Sequence, residues 1–463
     1  MAGAGGRRAA LLPAVLACLL VLTGCSMVVV GQAIPALPPV TDAEPGEIEV
    51  VGATDQEVDV LARNALADLE TFWAEQQPAV FGLPFEPLEG GYFSVDPGDV
   101  DPRLYPTGIG CGADPREVED NAYYCLAREA PNSDAISYDR TFLGDLGADF
   151  GRFIPALVMA HEFGHAVQAR VGSPEFSILV ETQADCLAGA WSRWVADGAA
   201  EHTVLRTSEL DDVLRGYLLL RDPVGTNPGQ PQAHGSYFDR VSAFQEGFEL
   251  GAEACRDNFD VARPLTQDRF RTVGEIETGG NAPYEVLLDI AAETLPQAWA
   301  SALGDDFRPP SVERFDGEAP DCAPDPGLDL VYCPDDGLVA FDETDLAVPA
   351  YEELGDFAVA TAISLPYGLA VRDQLGLSVD DEDAARSVVC LSGWYAEQLY
   401  SDPLGADGIF TSSISPGDVD ESVQFLLTFG SEPEVLPGVD LTGFQLVDLY
   451  RAGFFEGLDA CGL

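Results

Sequence analysis

An unbroken apolar run from Phe153 to Ala160 leads directly into two histidines, His161 and His165. A segment that is apolar on every side predicts a buried helix rather than a solvated one. Histidines four positions apart lie on the same face of a helix, one turn from each other. The pattern therefore predicts a buried helix that presents two imidazoles side by side.

Three further segments have patterns that predict regular structure. The composition from Glu181 to Trp191 suits a helix. A further helix is expected from Ser236 to Leu250, after a loop rich in proline and glycine. The segment from Ala135 to Asp139 predicts a short strand. The expected fold class is α+β, mainly helical with a small sheet.

The apolar pattern occurs twice, at an offset of 204 residues. Gly151 to Gly189 aligns without a gap with Gly355 to Gly393, and ten of these 39 positions are identical. Helical segments that carry Trp73 and Trp299 open the two units. A repeat of this size predicts two tandem homologous domains, residues 54–262 and 263–463.

The segment His161-Glu162-Phe163-Gly164-His165 carries the candidate chemistry. Two histidines at this spacing can bind one metal ion, and the glutamate between them can act as general base toward a metal-bound water. Zn²⁺ is the expected cofactor. The alternative is a surface helix that carries two histidines by chance, and the apolar run before the motif argues against it.

A catalytic zinc site normally has three protein ligands and one open position, so a third ligand is expected elsewhere in the chain. Glu181 and Asp185 lie one turn apart on the second predicted helix and share a face. Glu181 is then the expected third ligand, and Asp185 the expected acceptor of the free ring N–H of a ligand histidine. The alternative is two carboxylates on a solvated helix of a very acidic chain.

The second copy lacks these residues. Its counterparts are all without metal-binding side chains: Leu365, Pro366, Leu369, Ala385 and Val389. The proline also removes a helix donor, which predicts a kink or a restart of that helix. We therefore expect at most one active unit, with a structural or binding role for the other.

The first 24 residues predict an export signal, because Arg7 and Arg8 precede an apolar segment. The segment ends Leu22-Thr23-Gly24-Cys25, which resembles the lipobox of bacterial lipoproteins and predicts lipidation of Cys25. Residues 25–53 then predict a tether. This interpretation anchors the protein by lipid to the outer face of the bacterial cytoplasmic membrane. The alternative is an ordinary cleaved signal with an incidental cysteine.

The net charge is −56, from 79 acidic and 23 basic residues, and every basic residue is arginine. The acids are spread along the chain, which is typical of a solvated, self-repelling surface. Nucleic-acid binding is not expected, since it would need basic patches.

Cysteine usage predicts disulfides. Cys18 lies in the signal and Cys25 at the lipidation site, which leaves eight of the ten cysteines, and no C-x-x-C pair occurs. In an oxidising compartment eight cysteines indicate four disulfides. Treating both units alike gives one close and one distant pair in each: Cys111–Cys125 and Cys186–Cys255, then Cys322–Cys333 and Cys390–Cys461.

Together with His234-Gly235-Ser236 and Arg240, these motifs resemble the bacterial neutral zinc metallopeptidase family over roughly residues 55–262. The resemblance implies a zincin-like fold, with His161, His165 and Glu181 as zinc ligands and Glu162 as base. Asp185 would then be the residue that bonds a ligand histidine from outside the metal's own ligands. In such folds an edge strand at Ala135 to Asp139 would hold an extended peptide by backbone pairing, with Tyr138 packed.

The other two histidines have different contexts. His234 could donate to a developing oxyanion or orient a ligand or substrate, or it could cap the helix that follows it. His202 has no such context and is expected to be exposed.

The sequence thus predicts an exported, lipid-anchored zinc peptidase, a hydrolase with a peptide or protein substrate, one active domain and one degenerate copy. Two alternatives stay open. One is a non-catalytic binding or scaffold lipoprotein with a structural metal site. The other is a zinc amidase that acts on cell-wall peptides.

Overall fold

The computed structural model describes residues 40–109, 111–112, 114–127, 130, 132–401 and 414–463. The predicted signal and Cys25 lie outside these residues. Val40–Leu463 forms one compact unit, so the two predicted domains lie within it. Its architecture is mainly helical, at 54% helix, with small sheets, which confirms the α+β class. Among the described residues, no helix is long and apolar enough to cross a membrane.

The first half of the unit places a small sheet beside a layer of helices. The strands are β1 (Val50–Val51), β2 (Gly91–Val95), β3 (Ala122–Cys125) and β4 (Ala135–Asp139). They are ordered β1-β2-β4-β3, and only the β3–β4 pair is antiparallel. The helices are α1 (Glu57–Phe81), α2 (Arg140–Phe150), α3 (Ile154–Val171), α4 (Ser177–Ala196), α5 (Leu210–Leu220), α6 (Tyr237–Leu250) and α7 (Ala252–Asp257).

The second half has a similar order of elements. Its sheet, ordered β5-β7-β6, has β6 as the antiparallel edge strand. The strands are β5 (Ser311–Phe315), β6 (Leu330–Cys333) and β7 (Leu338–Asp342). The helices are α8 (Val273–Thr278), α9 (Tyr284–Leu303), α10 (Val348–Glu353), α11 (Asp356–Gln374), α12 (Glu382–Ser401), α13 (Asp418–Thr428) and α14 (Gly443–Glu456).

The compact unit begins earlier than the predicted end of the tether at residue 53. Ala43 and Ile48 are buried in the core, and Val50–Val51 pairs with β2. The amide of Thr41 also donates to the carbonyl of Glu201. The predicted tether was therefore wrong from Val40 onward. The apolar side chains of this segment pack against the folded domain, which its proline-rich composition did not indicate.

Helix α3 carries the histidine motif and is buried along most of its length, as its apolar pattern predicted. Pro155 lies in its first turn, where a missing N–H costs no helical hydrogen bond. Gly172 ends the helix with a φ of 100°. Helix α3 packs against α4, so the motif faces Glu181 and Asp185.

Helices α4 and α6 cross at unusually close range. A Cβ at Gly247 would lie 1.8 Å from the carbonyl oxygen of Cys186, so only glycine fits there. Helices α12 and α14 cross in the same way, and a Cβ at Gly453 would lie 1.8 Å from the carbonyl oxygen of Cys390.

The structure confirms all four predicted cysteine pairs. The bridges are Cys111–Cys125, Cys186–Cys255, Cys322–Cys333 and Cys390–Cys461, with Cα separations of 5.3 to 5.8 Å. Four such pairs indicate an oxidising compartment outside the cytoplasm, compatible with export.

The predicted restart at Pro366 does not occur, since α11 continues from Asp356 to Gln374 across it. Both neighbours of the proline are buried in the core, and this packing holds the helix together where one backbone hydrogen bond is lost.

Candidate metal centre

The three predicted ligand side chains converge on one point. The Nε2 atoms of His161 and His165 lie 3.1 Å apart. Oε2 of Glu181 lies 3.3 Å from the first and 3.6 Å from the second. With bonds of about 2.0–2.2 Å, the ligand atoms of a tetrahedral zinc site lie about 3.3–3.6 Å apart. The three atoms therefore have the spacing of one face of such a site.

Asp185 holds the first histidine from behind. Its Oδ1 lies 2.8 Å from Nδ1 of His161, which leaves Nε2 as the nitrogen directed at the centre. Asp185 is fully buried and is bound in turn by Arg240, at 2.7 Å and 2.8 Å. The guanidinium also donates to the carbonyl of Leu220 and lies over the ring of Tyr217. Arg240 thus balances the buried carboxylate that orients His161.

Gln168 performs the same task for the second histidine. Its Oε1 lies 2.9 Å from Nδ1 of His165, and its Nε2 donates to the carbonyl of Val180 and to Gln183. The side chain of Gln183 in turn donates to the carbonyl of Cys255, and the disulfide of Cys255 joins α7 to α4. Both imidazoles are therefore fixed by buried partners on their outer nitrogens.

Glu162, between the two histidines on α3, is held by the neighbouring strand β3. Its Oε2 accepts the backbone N–H of Tyr124 on β3 at 2.7 Å. Burial raises the pKa of Glu162, against the opposing effect of the two imidazoles and of the Tyr124 amide. A carboxylate with a raised pKa beside a metal site is suited to accept and return a proton.

The charges around the centre favour a cation there. Burial disfavours the charged ring of His161, but Asp185 and Glu181 outweigh burial and raise the pKa of His161 to about 10. Burial also disfavours the charged form of Glu181, yet contacts with both imidazoles lower its pKa. The carboxylates thus stabilise positive charge where the Nε2 atoms meet.

A cleft of about 790 Å³ opens over these residues. Strand β3 forms one wall, and the end of α5 with the following loop forms another. In an antiparallel pair, alternate residues direct their backbone groups away from the partner strand. The carbonyls of Asn121 and Cys125 accept from Asp139 and Asp134, so Ala122 and Tyr124 face the cleft.

His234 lies on the wall of this cleft, with a side chain 47% exposed. Its Nδ1 lies 3.0 Å from Oδ1 of Asp222, and its backbone N–H donates to the same carboxylate. Ser236, not His234, caps α6, so the alternative of a capping role was wrong. The Asp222 contact leaves Nε2 as the ring atom that could reach a ligand.

Two other predictions need correction. Strand β4 carries Tyr138 but lies between β2 and β3, so the edge strand at the cleft is β3. Tyr138 is fully buried and donates to Asp59, as expected of a packed aromatic. His202 was predicted to be exposed but is buried, with Nδ1 2.7 Å from the carbonyl of Thr41. Thr41 is available as this partner because the folded unit begins at Val40, ahead of the predicted end of the tether.

A second group of acidic side chains lies buried in the other half. Asp356, Asp418 and Glu421 bring carboxylate oxygens within 4.8 Å of one another. Each accepts one backbone N–H, from Ala282, Ser415 and Phe357 respectively. These contacts hold the carboxylates at the starts of α11 and α13.

Sequence reasoning missed the roles of Tyr124, Gln168 and Arg240. Gln168 follows His165 by three positions, so helical spacing could have placed it beside the ring. Arg240 entered only as part of the family resemblance, and its distance of 55 residues from Asp185 carries no local signal.

Comparison with known proteins finds similarity to proteins that are themselves uncharacterized. An uncharacterized protein of Mycobacterium tuberculosis H37Rv is 26% identical over 183 residues, 35% of this chain and 62% of its own length. The uncharacterized protein YpfJ of Escherichia coli K12 is 30% identical over 175 residues, 33% of this chain and 58% of its own length. The chain thus spans about three fifths of these relatives. No protein-family model and no solved structure matches it.

Proposed function

We propose that the protein is an exported zinc peptidase whose catalytic metal centre lies between α3 and α4. The observation that carries the proposal is the spacing of the three ligand atoms, 3.1, 3.3 and 3.6 Å. Two imidazole nitrogens and one carboxylate suit Zn²⁺, which would take the place of the ring proton, and both rings have fixed outer nitrogens. The residues therefore fit the ion.

The chain's own residues divide the work of hydrolysis. A zinc ion at this point would supply Lewis acidity and lower the pKa of a water it coordinates. Glu162 takes the proton of the attacking water and returns it to the leaving amine. The backbone carbonyls of Ala122 and Tyr124, which point away from β4, accept N–H groups of an extended peptide that lies along β3, while the two amides stay bound to Asn121 and Glu162. His234 orients the bound substrate from the opposite wall.

The zincin-like fold and the tandem repeat are part of the same proposal. Their support is the matching order of elements, the antiparallel edge strands β3 and β6, and the paired helix crossings at Gly247 and Gly453. In this scheme the second half is a copy without metal ligands. The lipid anchor at Cys25 would hold the enzyme at the outer face of the cytoplasmic membrane.

The test is Glu162→Gln in the mature protein, with Glu253→Gln on the exposed surface of α7 as the control. Zinc content is measured by elemental analysis and hydrolysis by digestion of a peptide library. Glu162→Gln should keep about one zinc per chain and lose at least about 100-fold in rate, the scale of general base catalysis. Wild-type protein that binds zinc and cleaves nothing would overturn the peptidase and leave the scaffold alternative.

A further inference from the structure

The second half contains a cleft of about 550 Å³ at the position that the metal centre has in the first half. All four counterparts of the motif and of Glu181 line it, namely Leu365, Pro366, Leu369 and Ala385. Val388 adds another aliphatic side chain to its floor. The place of the metal ligands is thus taken by apolar side chains, of which Leu369 and Ala385 are partly exposed in the cleft and the others lie buried beneath them. The correspondence of positions rests on the repeat proposed above, whereas the cleft itself does not.

An edge strand borders this cleft as well. The carbonyl of Asp329 accepts from Asp342 on β7, so by alternation Leu330 and Tyr332 direct their backbone groups away from the sheet. Both residues line the cleft. In the first half the corresponding N–H, that of Tyr124, is bound by Glu162. The counterpart of that glutamate is Pro366, which has no side-chain acceptor.

The mouth of the cleft is acidic. The charged residues that line it, Asp380 and Asp381, are both exposed, and Glu382 and Asp383 follow in the first turn of α12. The chain as a whole carries a net charge of −56. An occupant with basic groups beside its apolar part would therefore be attracted to this mouth.

We propose that this second cleft binds an extended polypeptide segment with aliphatic side chains flanked by arginine or lysine. The segment adds to β6 as a strand, places its aliphatic side chains on Leu369 and Val388, and sets its basic residues against Asp380 and Asp381. A fatty acyl chain fits less well, because it offers nothing to the backbone of β6 and its carboxylate head would be repelled. Binding here needs neither a metal nor Glu162, so it provides a non-catalytic contact for polypeptides.

The experiment uses the mature Glu162→Gln protein treated with a chelator, so that binding at the metal centre is disabled. The probe is a short fluorescent peptide of leucine and valine flanked by arginine, followed by fluorescence anisotropy. Ala385→Phe fills the cleft from α12, and Leu369→Asn makes its floor polar from α11. Each should weaken binding at least about tenfold. Leu377→Asn, at a position 38% exposed beyond the end of α11, should change nothing.

Charge gives a second, independent readout. Asp380→Asn together with Asp381→Asn should weaken the arginine-flanked peptide several-fold and leave a glutamine-flanked peptide unchanged. Thermal unfolding of each variant establishes that it is folded. Unchanged affinity in both cleft variants would overturn the proposal. Binding of palmitate that Ala385→Phe abolishes, without binding of either peptide, would overturn it as well. Failure here leaves the zinc chemistry intact, since the assay involves no cleavage.

Discussion

Asp211 and Asp420 hold reciprocal positions, each capping the first turn of a helix in the opposite half of the protein. Asp211 on α5 accepts the N–H groups at the start of α14, at 2.9 and 2.7 Å. Asp420 on α13 accepts those at the start of α6, at 3.2 and 2.9 Å. The two halves are thus joined by matching contacts between carboxylates and helix N-termini.

Removing one of these contacts should weaken the whole unit. Asp211→Ala leaves two N–H groups of α14 without their carboxylate, which should cost about 1–2 kcal/mol in the free energy of unfolding. Urea unfolding measures this cost, with Asp306→Ala at an exposed position as the control. Equal stability of the two variants would mean that the contact contributes nothing.

Gln168→Ala tests how His165 is held. Without the amide, Nδ1 of His165 loses its partner and the ring can turn away from the centre. We expect zinc affinity to fall about 10- to 100-fold, measured by competition with a chelating dye. Gln297→Ala on α9 is the matched control, since its amide bonds only the exposed Glu293. An unchanged affinity would show that packing alone orients the ring.

Asp185→Asn should be more damaging, because it leaves Arg240 buried without its counter-ion. A loss of about 3–5 kcal/mol is expected in unfolding experiments on protein treated with a chelator. The double variant Asp185→Leu with Arg240→Met removes both charges and should recover most of that stability. It should not recover zinc binding, because His161 still lacks its partner. Recovery of both properties would contradict the assigned role.

The buried acidic group predicts a dependence of stability on pH. Burial raises the pKa of Asp356 to about 6, and burial with neighbouring carboxylates raises the pKa values of Asp418 and Glu421. For acids with a raised pKa in the folded state, the folded protein binds more protons, so stability falls as pH rises through about 6.

Asp418→Asn removes one of these charges and should stabilise the protein by about 1–3 kcal/mol near pH 7.5. Near pH 5 the advantage should shrink, since the wild-type carboxylates are then largely protonated. Melting temperatures at the two pH values measure the difference, with Asp380→Asn at an exposed position as the control. An advantage that is independent of pH would contradict the explanation.

Sequence reasoning reached those parts of the site that helical spacing determines. His161, His165 and Glu181 were found because an imidazole pair and a carboxylate have local signatures. The repeat predicted the disulfide pairs, since the same pairing had to apply to the cysteines of both units. Local patterns did not reveal Arg240 behind Asp185, because tertiary packing alone brings them together. The edge strand was misplaced for the same reason, since strand order within a sheet is not written in any single strand.

One disulfide makes the geometry at Glu162 depend on the redox state of the compartment. Cys125 ends β3 directly after Tyr124, whose amide holds Glu162, and the bridge ties that end of the strand to Cys111. In a reducing environment the end of the strand would lose this anchor, and the Tyr124 amide that donates to Glu162 would be held only by the pairing of β3 with β4. If the proposed peptidase mechanism holds, Glu162 would be held in place for it only after export, and a newly made chain would have little activity against the proteins around it.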